Sequence, residues 1–415
     1  AIQAAGAVLD YLQETQKIAL GHIRRIQRSR PEDRVVLDRA TQLSLELTRT
    51  LRGDRKHGTL LWVLDRTLTP MGGRMLKELI ISPLRDREAI LARLDAVEEG
   101  VQEPSLRRDI RGRLEQVYDI ERLTTRVATG RANARDLLAL CRSLESLPAL
   151  KARLAEARCE TLRSLADRVD PVEEARVLIA ESIAPDPPVT LKEGDLIRDG
   201  YSAELDELRA IRRDGKSWIA RFQARESERA GIPSLKVGYN KVFGYYIEVT
   251  HAHQQKVPAD YVRKQTLKNA ERYITPELKE YETRVLTAED RSREMEYDLF
   301  VSVRQEVAVQ TERLQATAQA LAELDCVAGL AEVAVDQRYV RPIISEEKEI
   351  RIVEGRHPVL ERSIDEPFVP NDTTLDGDRN LMMIITGPNM AGKSTYIRQV
   401  ALITLMAHMG SFVPA

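Results

Sequence analysis

Apolar residues recur three and four positions apart through most of the first 182 residues, which predicts a succession of amphipathic helices. Segments 35–51, 86–101 and 134–154 show the pattern, and Pro or Gly residues separate them. After a loop that contains three prolines, the pattern predicts one more charged helix over residues 201–229. This half of the chain is therefore predicted to be all-α.

Between residues 232 and 274 the period of the pattern changes to about two. Residues 245–250 are rich in β-branched and aromatic side chains, and Gly238 and Gly244 flank a predicted turn. Thr275 and Pro276 then form the N-cap and first position of a helix. Since no Pro or Gly follows before residue 329, the helix is predicted to run for about 53 residues, or about 80 Å.

Heptad spacing predicts a partner helix for this long segment. Two sets of residues recur every seven positions, which is typical of helix packing: Leu278, Val285, Ser292 and Leu299, and Tyr281, Ala288, Met295 and Ser302. The simplest partner is the helix over 201–229, running antiparallel, with the β module at the tip of the pair. The alternative is a kinked helix that folds back into a bundle.

Composition and charge sharpen this picture. The 415 residues are 31% charged and only 5% aromatic, which favours long solvated helices over sandwiches or barrels. The formal net charge is −2, but residues 232–274 hold seven basic and three acidic residues, a net charge of +4, together with six aromatic residues. This local excess favours sequence-independent contact with nucleic-acid phosphates. The alternative is a solvated face over a small aromatic core.

Other side chains carry little chemical signal. The spacing of Cys141, Cys159 and Cys326 fits neither a metal site nor a disulfide framework, and all three are predicted to be buried. His251 and His253 alternate on one strand without acidic neighbours, which disfavours a metal site. No window reaches the roughly 18 apolar residues of a membrane span, so a cytoplasmic protein is predicted. Without an initiator Met, the chain is expected to be part of a longer protein.

The sharpest chemical signal is the pattern G-x-x-x-x-G-K-[ST] at residues 387–394. An apolar run over 381–386 predicts a buried strand before it, and residues 395–409 predict a helix after it. Backbone N–H groups in such a loop surround nucleotide phosphates. Lys393 is predicted to reach the β- and γ-phosphates, and the Ser394 hydroxyl to ligate Mg²⁺. The predicted phosphate-binding residues are Gly387, Pro388, Asn389, Met390, Ala391, Gly392, Lys393, Ser394 and Thr395.

The adenine of a bound nucleotide would need contacts of its own. Phe368 can stack on an adenine and Asn371 can supply amide hydrogen bonds, with Val369 between them. A core position for Phe368 is the alternative. Hydrolysis also requires an acidic residue at the end of a second core strand, and no such strand follows the loop in this sequence. The sequence therefore predicts half of a nucleotide site.

Together these strings resemble the bacterial MutS family of mismatch-repair proteins. The loop at 387–395 is similar to that family's form of the Walker A motif, in which Met390 stands where related ATPases carry Gly. Further strings that resemble the family lie at residues 68–77, 235–240, 244–246, 265–274, 276–282, 354–358 and 366–371. The similarity extends over nearly the whole chain.

The resemblance implies a mainly α multidomain fold. Its parts would be a helical core with long antiparallel lever helices, a small β-rich clamp at their tip, and the beginning of an α/β P-loop ATPase domain of the ABC type. The implied boundaries are 1–30 for the end of a connector, 31–217 for the core and first lever, 218–275 for the clamp, 276–340 for the second lever and core, and 341–415 for the start of the ATPase domain.

The resemblance also implies a function, that of an ATP-dependent sensor of mismatched DNA. The implied cofactors are ATP or ADP and Mg²⁺. The implied partners are double-stranded DNA with mismatches or small loops, a second subunit and MutL, in the cytoplasm at the nucleoid. The clamp residues implied for the DNA backbone are Lys236, Lys241, Arg263, Lys264, Lys268, Asn269 and Arg272. Because the family's Phe-x-Glu mismatch reader and acidic Walker B strand are missing from this sequence, the chain alone is expected neither to recognise mismatches nor to hydrolyse ATP.

Three alternatives remain open. A shorter MutS paralogue would act on recombination intermediates, but it usually lacks a developed clamp insertion. An ABC or chromosome-maintenance ATPase with a coiled-coil arm would carry the Walker A motif before the coil, whereas here the motif follows it. A scaffold with an inactive nucleotide site is the non-enzymatic alternative.

Overall fold

The computed structural model describes residues 2–16, 23, 33–240, 244–364, 366–389 and 391–415. Most of the segment implied as the end of a connector, residues 17–30 except 23, lies outside the described residues. The chain forms two compact units. The first contains Ala1–Ala132, Asp136–Leu178 and Gln305–Ala415, and the second contains Asn133–Arg135 and Ile179–Arg304. The division into five parts stays a prediction.

The chain is mainly helical, as predicted. Over the described residues the helices are α1 (Ile2–Gln16), α2 (Arg39–Ser44), α3 (Leu60–Leu64), α4 (Pro70–Ile81), α5 (Arg87–Gln102), α6 (Pro104–Leu114), α7 (Ile120–Ala128), α8 (Ala134–Glu145), α9 (Leu147–Ala155), α10 (Glu160–Arg168), α11 (Glu173–Ser182), α12 (Ala203–Ala230), α13 (Pro276–Val309), α14 (Thr311–Gln337), α15 (Pro358–Ser363) and α16 (Lys393–His408). The strands are β1 (Lys236–Asn240), β2 (Gly244–Thr250), β3 (Val262–Thr266), β4 (Ala270–Ile274), β5 (Ile350–Gly355) and β6 (Asn371–Leu375).

The predicted helices of the first half are confirmed in part. The helix predicted over 86–101 is α5, and the Asp86 side chain caps it by accepting a hydrogen bond from the backbone of Ala89. The single helix predicted over 134–154 is wrong, because Pro148 in the first turn of α9 starts a new helix after α8. Only the short α2 is helical within 35–51. Cys159 is partly exposed, so the prediction that all three cysteines are buried is wrong.

A buried carboxylate joins α14 to the start of α4 in the first unit. Asp325 accepts hydrogen bonds from the Leu68 N–H at 3.0 Å, the Thr69 N–H at 2.7 Å and the Thr69 hydroxyl at 2.7 Å. Gly72 packs directly on this carboxylate, since a Cβ there would lie 2.7 Å from Cγ of Asp325. The glycine therefore permits the close approach of the two helices. The Asp325 carboxylate, the two N–H groups and the Thr69 hydroxyl all have hydrogen-bond partners.

In the second unit, α12 and α13 form the predicted antiparallel pair. Residues near the end of α12 contact residues near the start of α13. Residues near the start of α12 contact residues farther along α13. The paired residues are Arg209 with Glu296, Trp218 with Tyr281, and Arg225 with Glu277. The rings of the middle pair are stacked, with their centroids 3.6 Å apart. The lever pair, as we call α12 with α13, therefore has the antiparallel direction that was the simplest prediction.

A buried ion pair holds the two levers together. The side chains of Arg209 and Glu296 are only 4% and 3% exposed, and their closest N and O atoms are 2.8 Å apart. Arg209 also donates to Asp199 Oδ1 at 2.6 Å and to the Ile197 carbonyl at 2.9 Å, while Glu296 accepts from the Leu196 N–H at 2.7 Å. These extra hydrogen bonds offset the cost of removing both charges from water.

The long second helix is interrupted, so the prediction of about 53 uninterrupted helical residues is wrong. α13 begins where predicted, and the Thr275 hydroxyl caps it by accepting from the Leu278 N–H at 3.2 Å. It ends at Val309, and Gln310 leaves the helical conformation with ψ near 9°. The Thr311 hydroxyl donates to the Ala308 carbonyl at 2.6 Å. A side-chain hydroxyl thus takes a backbone acceptor at the break, which needs neither Pro nor Gly.

The predicted β module is a four-stranded antiparallel sheet in the order β1-β2-β4-β3. Gly231 ends α12 in the left-handed conformation, with φ near 61°, and turns the chain toward the sheet. One face of the sheet packs on the levers, where a buried cluster contains Phe222, Ile232, Leu235, Ile247, Val249, Tyr261, Tyr273 and Leu278. The sheet, which we call the clamp sheet, therefore has one buried face and one exposed face.

Removal of the Glu296 carboxylate is predicted to destabilise the lever pair. Glu296→Ala leaves Arg209 buried without its partner, which should lower the free energy of unfolding of the second unit by about 3–5 kcal/mol. Urea unfolding monitored by Trp218 fluorescence in a Trp62→Phe background measures this change. Glu294→Ala, at an exposed position of the same helix, is the matched control and should change stability by less than about 0.5 kcal/mol. Equal stability of the two variants would contradict the role given to the ion pair.

Candidate functional site

A row of polar residues crosses the exposed face of the clamp sheet. The strand register places one residue of each strand in this row, in the order Lys236, Glu248, Arg272 and Gln265. Residues paired across antiparallel strands on one face are close enough to interact. The central two form an ion pair of 3.0 Å between Arg272 Nε and Glu248 Oε2.

Arg272, predicted as a DNA-backbone residue, makes its contacts within the sheet. Besides Glu248, its guanidinium donates to Gln265 Oε1 at 3.0 Å and lies 4.1 Å from the centre of the Tyr246 ring. That ring in turn covers Gly238, where a Cβ would lie 2.8 Å from the Tyr246 hydroxyl. The arrangement makes Arg272 a brace across three strands, and its side chain is only 18% exposed.

Arg263 is also paired with a carboxylate of the sheet, although its side chain is 60% exposed. Its guanidinium lies 3.2 Å from the Glu271 carboxylate, which accepts a second hydrogen bond from the Tyr273 hydroxyl. These contacts, Tyr273 first and Arg263 second, hold the pKa of Glu271 below its usual value. Burial and the neighbouring carboxylate raise the pKa of Tyr273 to about 12, so its hydroxyl stays a donor at neutral pH. Two of the seven predicted DNA-backbone residues are therefore neutralised by local carboxylates.

The predicted lysines are more exposed than Arg272. Lys236, Lys264 and Lys268 are exposed, as is Asn269. Lys264 occupies the irregular position between Arg263 and Gln265 where the register of β3 against β4 shifts. Lys268 and Asn269 lie in the turn between the same two strands. Lys241, also predicted, lies outside the described residues.

The aromatic residues of this segment mostly fill the core. Tyr261 and Tyr273 are buried, and Tyr245 packs against the same cluster. The Tyr261 hydroxyl donates to Glu226 at 3.0 Å, and burial, followed by that carboxylate, raises its pKa. Tyr239, 52% exposed, contacts Tyr245 edge to face. The small aromatic core that the sequence left as an alternative is present, beneath an exposed polar face.

The phosphate-loop pattern is followed by the predicted helix. α16 begins at Lys393, directly after Gly392, whose φ is near 83°. Gly387 has φ near 146°, so both glycines have backbone conformations that other residues rarely adopt. The Lys393 ammonium donates to the Gly387 carbonyl at 2.6 Å and to the Pro388 carbonyl at 2.5 Å. The lysine thus reaches back across its own loop.

Most of the other described residues of the loop are open to solvent. Asn389, Ala391 and Ser394 are exposed, and Thr395 is partly buried in the first turn of the helix. Met390 lies outside the described residues. The first-turn N–H groups of an α-helix have no acceptor within the helix, so this end of α16 offers donors to an anion.

The buried strand predicted over 381–386 is wrong. Its residues are not in a strand, and Leu381, Met382 and Ile384 are 74%, 81% and 82% exposed. A strand buried on both faces exists only where neighbouring strands take its hydrogen bonds. In the part of the chain that the structure describes, the nearby strands β5 and β6 pair with each other and not with this segment.

One of the three predicted adenine residues, Asn371, contacts α16. Asn371 starts β6, pairs with Gly355 of β5, and directs its amide to the Val369 carbonyl at 3.0 Å and to Gln399 Oε1 of α16 at 3.5 Å. Val369 is 77% exposed, and Phe368 is half-buried. The structure therefore brings Asn371 to the helix that follows the phosphate loop.

Sequence reasoning missed two residues of this helix. Gln399 is buried against Gly355, and the Tyr396 hydroxyl lies 2.8 Å from that of Thr373 and donates to the Asp372 carbonyl at 3.1 Å. These contacts seat α16 on the β5–β6 sheet. The signal was their spacing, since polar residues three apart lie on one face of a helix that is otherwise largely apolar.

His357, in the string at 354–358, is buried and caps α15. Its Nδ1 accepts from the Leu360 N–H at 3.3 Å, which requires that nitrogen to be unprotonated. Burial, followed by the charge of Arg398, lowers the pKa of His357 to about 4. The residue is therefore neutral and structural.

Among the described residues no group of three or more His, Cys, Asp or Glu side chains could hold a metal ion. The same part of the chain contains no helix that is both long and apolar enough to cross a bilayer.

Family models and curated proteins of the same family match this chain. The model of MutS domain III matches residues 40–331, and the model of MutS domain V matches residues 383–415. Proteins described as DNA mismatch repair protein MutS match the whole chain: it is 52% identical to that of Symbiobacterium thermophilum, and 51% identical to those of Acetivibrio thermocellus and Salinibacter ruber. The matched regions cover 48%, 48% and 46% of these relatives, so the chain spans about half the length of the curated relatives it matches.

The stability of the first unit is predicted to depend on pH through His357. Because its folded pKa of about 4 is below the ordinary value of 6.5, the unfolded chain takes up the proton first, and stability is lost as the pH falls from about 6.5 toward 4. His357→Asn keeps a capping acceptor and does not titrate. The parent should lose about 2 kcal/mol more than this variant between pH 7 and pH 5. Urea unfolding followed by Trp62 fluorescence in a Trp218→Phe background tests this, and equal losses would contradict it.

Proposed function

The chain belongs to the MutS family of DNA mismatch-repair proteins, and we propose that it acts in mismatch repair by holding duplex DNA with the clamp sheet and by contributing the phosphate-binding half of an ATP site. The observation that carries the first part is the separation of basic residues on the clamp sheet. Arg272 is paired with a carboxylate and only 18% exposed, Arg263 is paired with a carboxylate although its side chain is 60% exposed, and Lys236, Lys264 and Lys268 are exposed.

The exposed lysines suit contacts with phosphate rather than with base edges. Lysine is a flexible point charge, and neutralisation of phosphates by such charges supplies binding that does not depend on sequence. The clamp sheet then holds the duplex, and recognition of the mispair belongs to other parts of a longer protein. Asn269, beside Lys268 in the same turn, adds an uncharged donor for a phosphate oxygen.

The nucleotide half of the proposal rests on the loop before α16. The start of the helix offers backbone N–H groups, and Lys393 holds its ammonium over the carbonyls of Gly387 and Pro388, where it can turn to a phosphate. Ser394, exposed in the first turn, would ligate Mg²⁺, which neutralises phosphate charge when bound. Asn371, whose amide contacts Gln399 of α16, is the adenine contact that we favour, with Phe368 and Val369 next to it in sequence.

The wider roles extend this proposal to the complete protein. They are an ATPase cycle with ATP, ADP and Mg²⁺, action on double-stranded DNA with mismatches or small loops, pairing with a second subunit, interaction with MutL, and a cytoplasmic location at the nucleoid. The lever pair is the element that would link nucleotide state to the clamp, because coupling between distant sites needs an element with two arrangements.

Neutralisation of the exposed lysines is predicted to reduce the salt dependence of DNA binding. In a plot of log affinity against log salt, the double change Lys264→Gln with Lys268→Gln should lower the slope by about two, since each lost phosphate contact contributes about one. Arg272→Lys keeps the charge of an internal brace and should leave the slope unchanged. Fluorescence anisotropy with a labelled duplex measures both. Lys192→Gln, exposed and outside the clamp sheet, is the control for net charge. A slope that changes with Arg272→Lys but not with the double change would contradict the assignment.

Loss of the Lys393 ammonium is predicted to weaken nucleotide binding. Lys393→Ala removes charge-assisted hydrogen bonds to phosphate, so the Kd for ATP with Mg²⁺ should rise about 10- to 100-fold. Titration of the 415-residue chain with a fluorescent ATP analogue measures this Kd. Lys348→Ala, at an exposed position of the same unit, is the control. Equal affinity of the Lys393 variant and the parent would show that the loop does not bind nucleotide.

A further inference from the structure

The C-terminal end of α16 is held by an arginine of the helical core. Arg93 of α5 donates from Nη1 to the Met409 carbonyl at 2.8 Å. The next residue, Gly410, has φ near 72°, and a Cβ there would lie 2.8 Å from Cβ of Arg93 and 3.0 Å from its Cδ. The arginine stem therefore packs against the glycine that ends the helix. A cation at this position also interacts favourably with the partial negative charge of a helix C-terminus.

A second contact holds the same end of α16. The Leu84 N–H donates to the His408 carbonyl at 3.0 Å, and the His408 ring nitrogen Nδ1 lies 2.9 Å from the Leu84 carbonyl. Leu84 is buried between α4 and α5, three residues before the start of α5. The α4–α5 connection thus exchanges two hydrogen bonds with the last residue of the helix.

The chain after α16 is fixed as well. Val413 and Val340 exchange two backbone hydrogen bonds of 2.9 Å each, and the Arg356 N–H donates to the Pro414 carbonyl at 2.8 Å. Val340 follows the end of α14 by three residues. α5 and the α4–α5 connection therefore hold the far end of the helix whose near end carries the phosphate loop, and Val340 and Arg356 hold the chain that follows it.

We infer that Arg93 is a positioning residue for the phosphate loop, acting through α16 from the end opposite to the nucleotide. A helix of 16 residues is a stiff rod about 24 Å long, so a shift of its fixed end is passed to Gly392 and Lys393 at the other end. The inference rests on the proposed binding of nucleotide by this loop. Because coupling is reciprocal, nucleotide at the loop should in turn stabilise the contacts made by Met409, His408 and Leu84.

The test compares Arg93→Met, which keeps the packing stem and loses the donor, with Arg108→Met at an exposed position of α6. Titration calorimetry gives the Kd for ATP with Mg²⁺, and hydrogen exchange with and without ATP gives the protection of a peptide containing Leu84. In the parent and the Arg108 variant, ATP should slow exchange at Leu84. In Arg93→Met the Kd should rise about 3- to 10-fold, and the ATP-dependent part of the protection should be lost.

Two further variants guard against loss of folding. Arg93→Lys keeps a cation and a donor and should recover part of the affinity and of the ATP-dependent protection, whereas a purely structural arginine would not affect that difference. Gly410→Ala places a methyl group where the Arg93 stem packs and so displaces the arginine from the Met409 carbonyl. Like Arg93→Met, it should raise the Kd for ATP and reduce the ATP-dependent protection. ATP binding and ATP-dependent protection that are unchanged in Arg93→Met and Gly410→Ala would overturn this inference alone. A parent chain that binds no ATP would overturn the proposed nucleotide site and this inference with it.

Discussion

The buried ion pair between Arg209 and Glu296 is the interaction on which the second unit depends. Two long helices with a weak apolar seam, which includes buried Ser292, are joined at one level by charges that are almost completely removed from water. Breaking such a pair is costly because one buried charge is left without compensation. The pair therefore fixes the register of the two levers, and the stacked rings of Trp218 and Tyr281 continue it toward the clamp sheet.

On the clamp sheet, too, oppositely charged neighbours decide what a charged side chain contacts. Carboxylates pair with Arg263 and Arg272, and the several donors of the guanidinium let Arg272 bond to Gln265 as well and brace the sheet. Lys236 lies opposite Glu248, whose carboxylate is already paired with Arg272, and Lys236, Lys264 and Lys268 are all exposed to solvent. The net positive charge of the segment is thus divided between stability and binding, and counting basic residues in the sequence does not separate the two.

The sequence predicted the elements whose signals are local. Heptad spacing predicted a partner helix for the second lever, and the change of period predicted the β module. The phosphate-loop string was predicted over 387–394 and a helix over 395–409, where the structure has α16. Sequence-based prediction failed where the outcome depends on partners distant in sequence. The engagement of Arg272 is decided by Glu248 and Gln265 on other strands, and the break at Gln310 by a threonine hydroxyl. Residues 381–384 are exposed because β5 and β6 pair with each other and not with them. Phosphate and adenine residues can be named from motifs, but the Asn371–Gln399 contact requires the folded chain.

The central claim is that duplex DNA lies against the exposed lysines of the clamp sheet. Lysine acetylation of the 415-residue chain, with and without a saturating duplex and read by mass spectrometry, tests it residue by residue. The account predicts that Lys236, Lys264 and Lys268 are protected by the duplex, while the exposed Lys77 and Lys348 of the first unit react equally in both conditions. Equal reactivity of the three clamp lysines with and without bound DNA would contradict it.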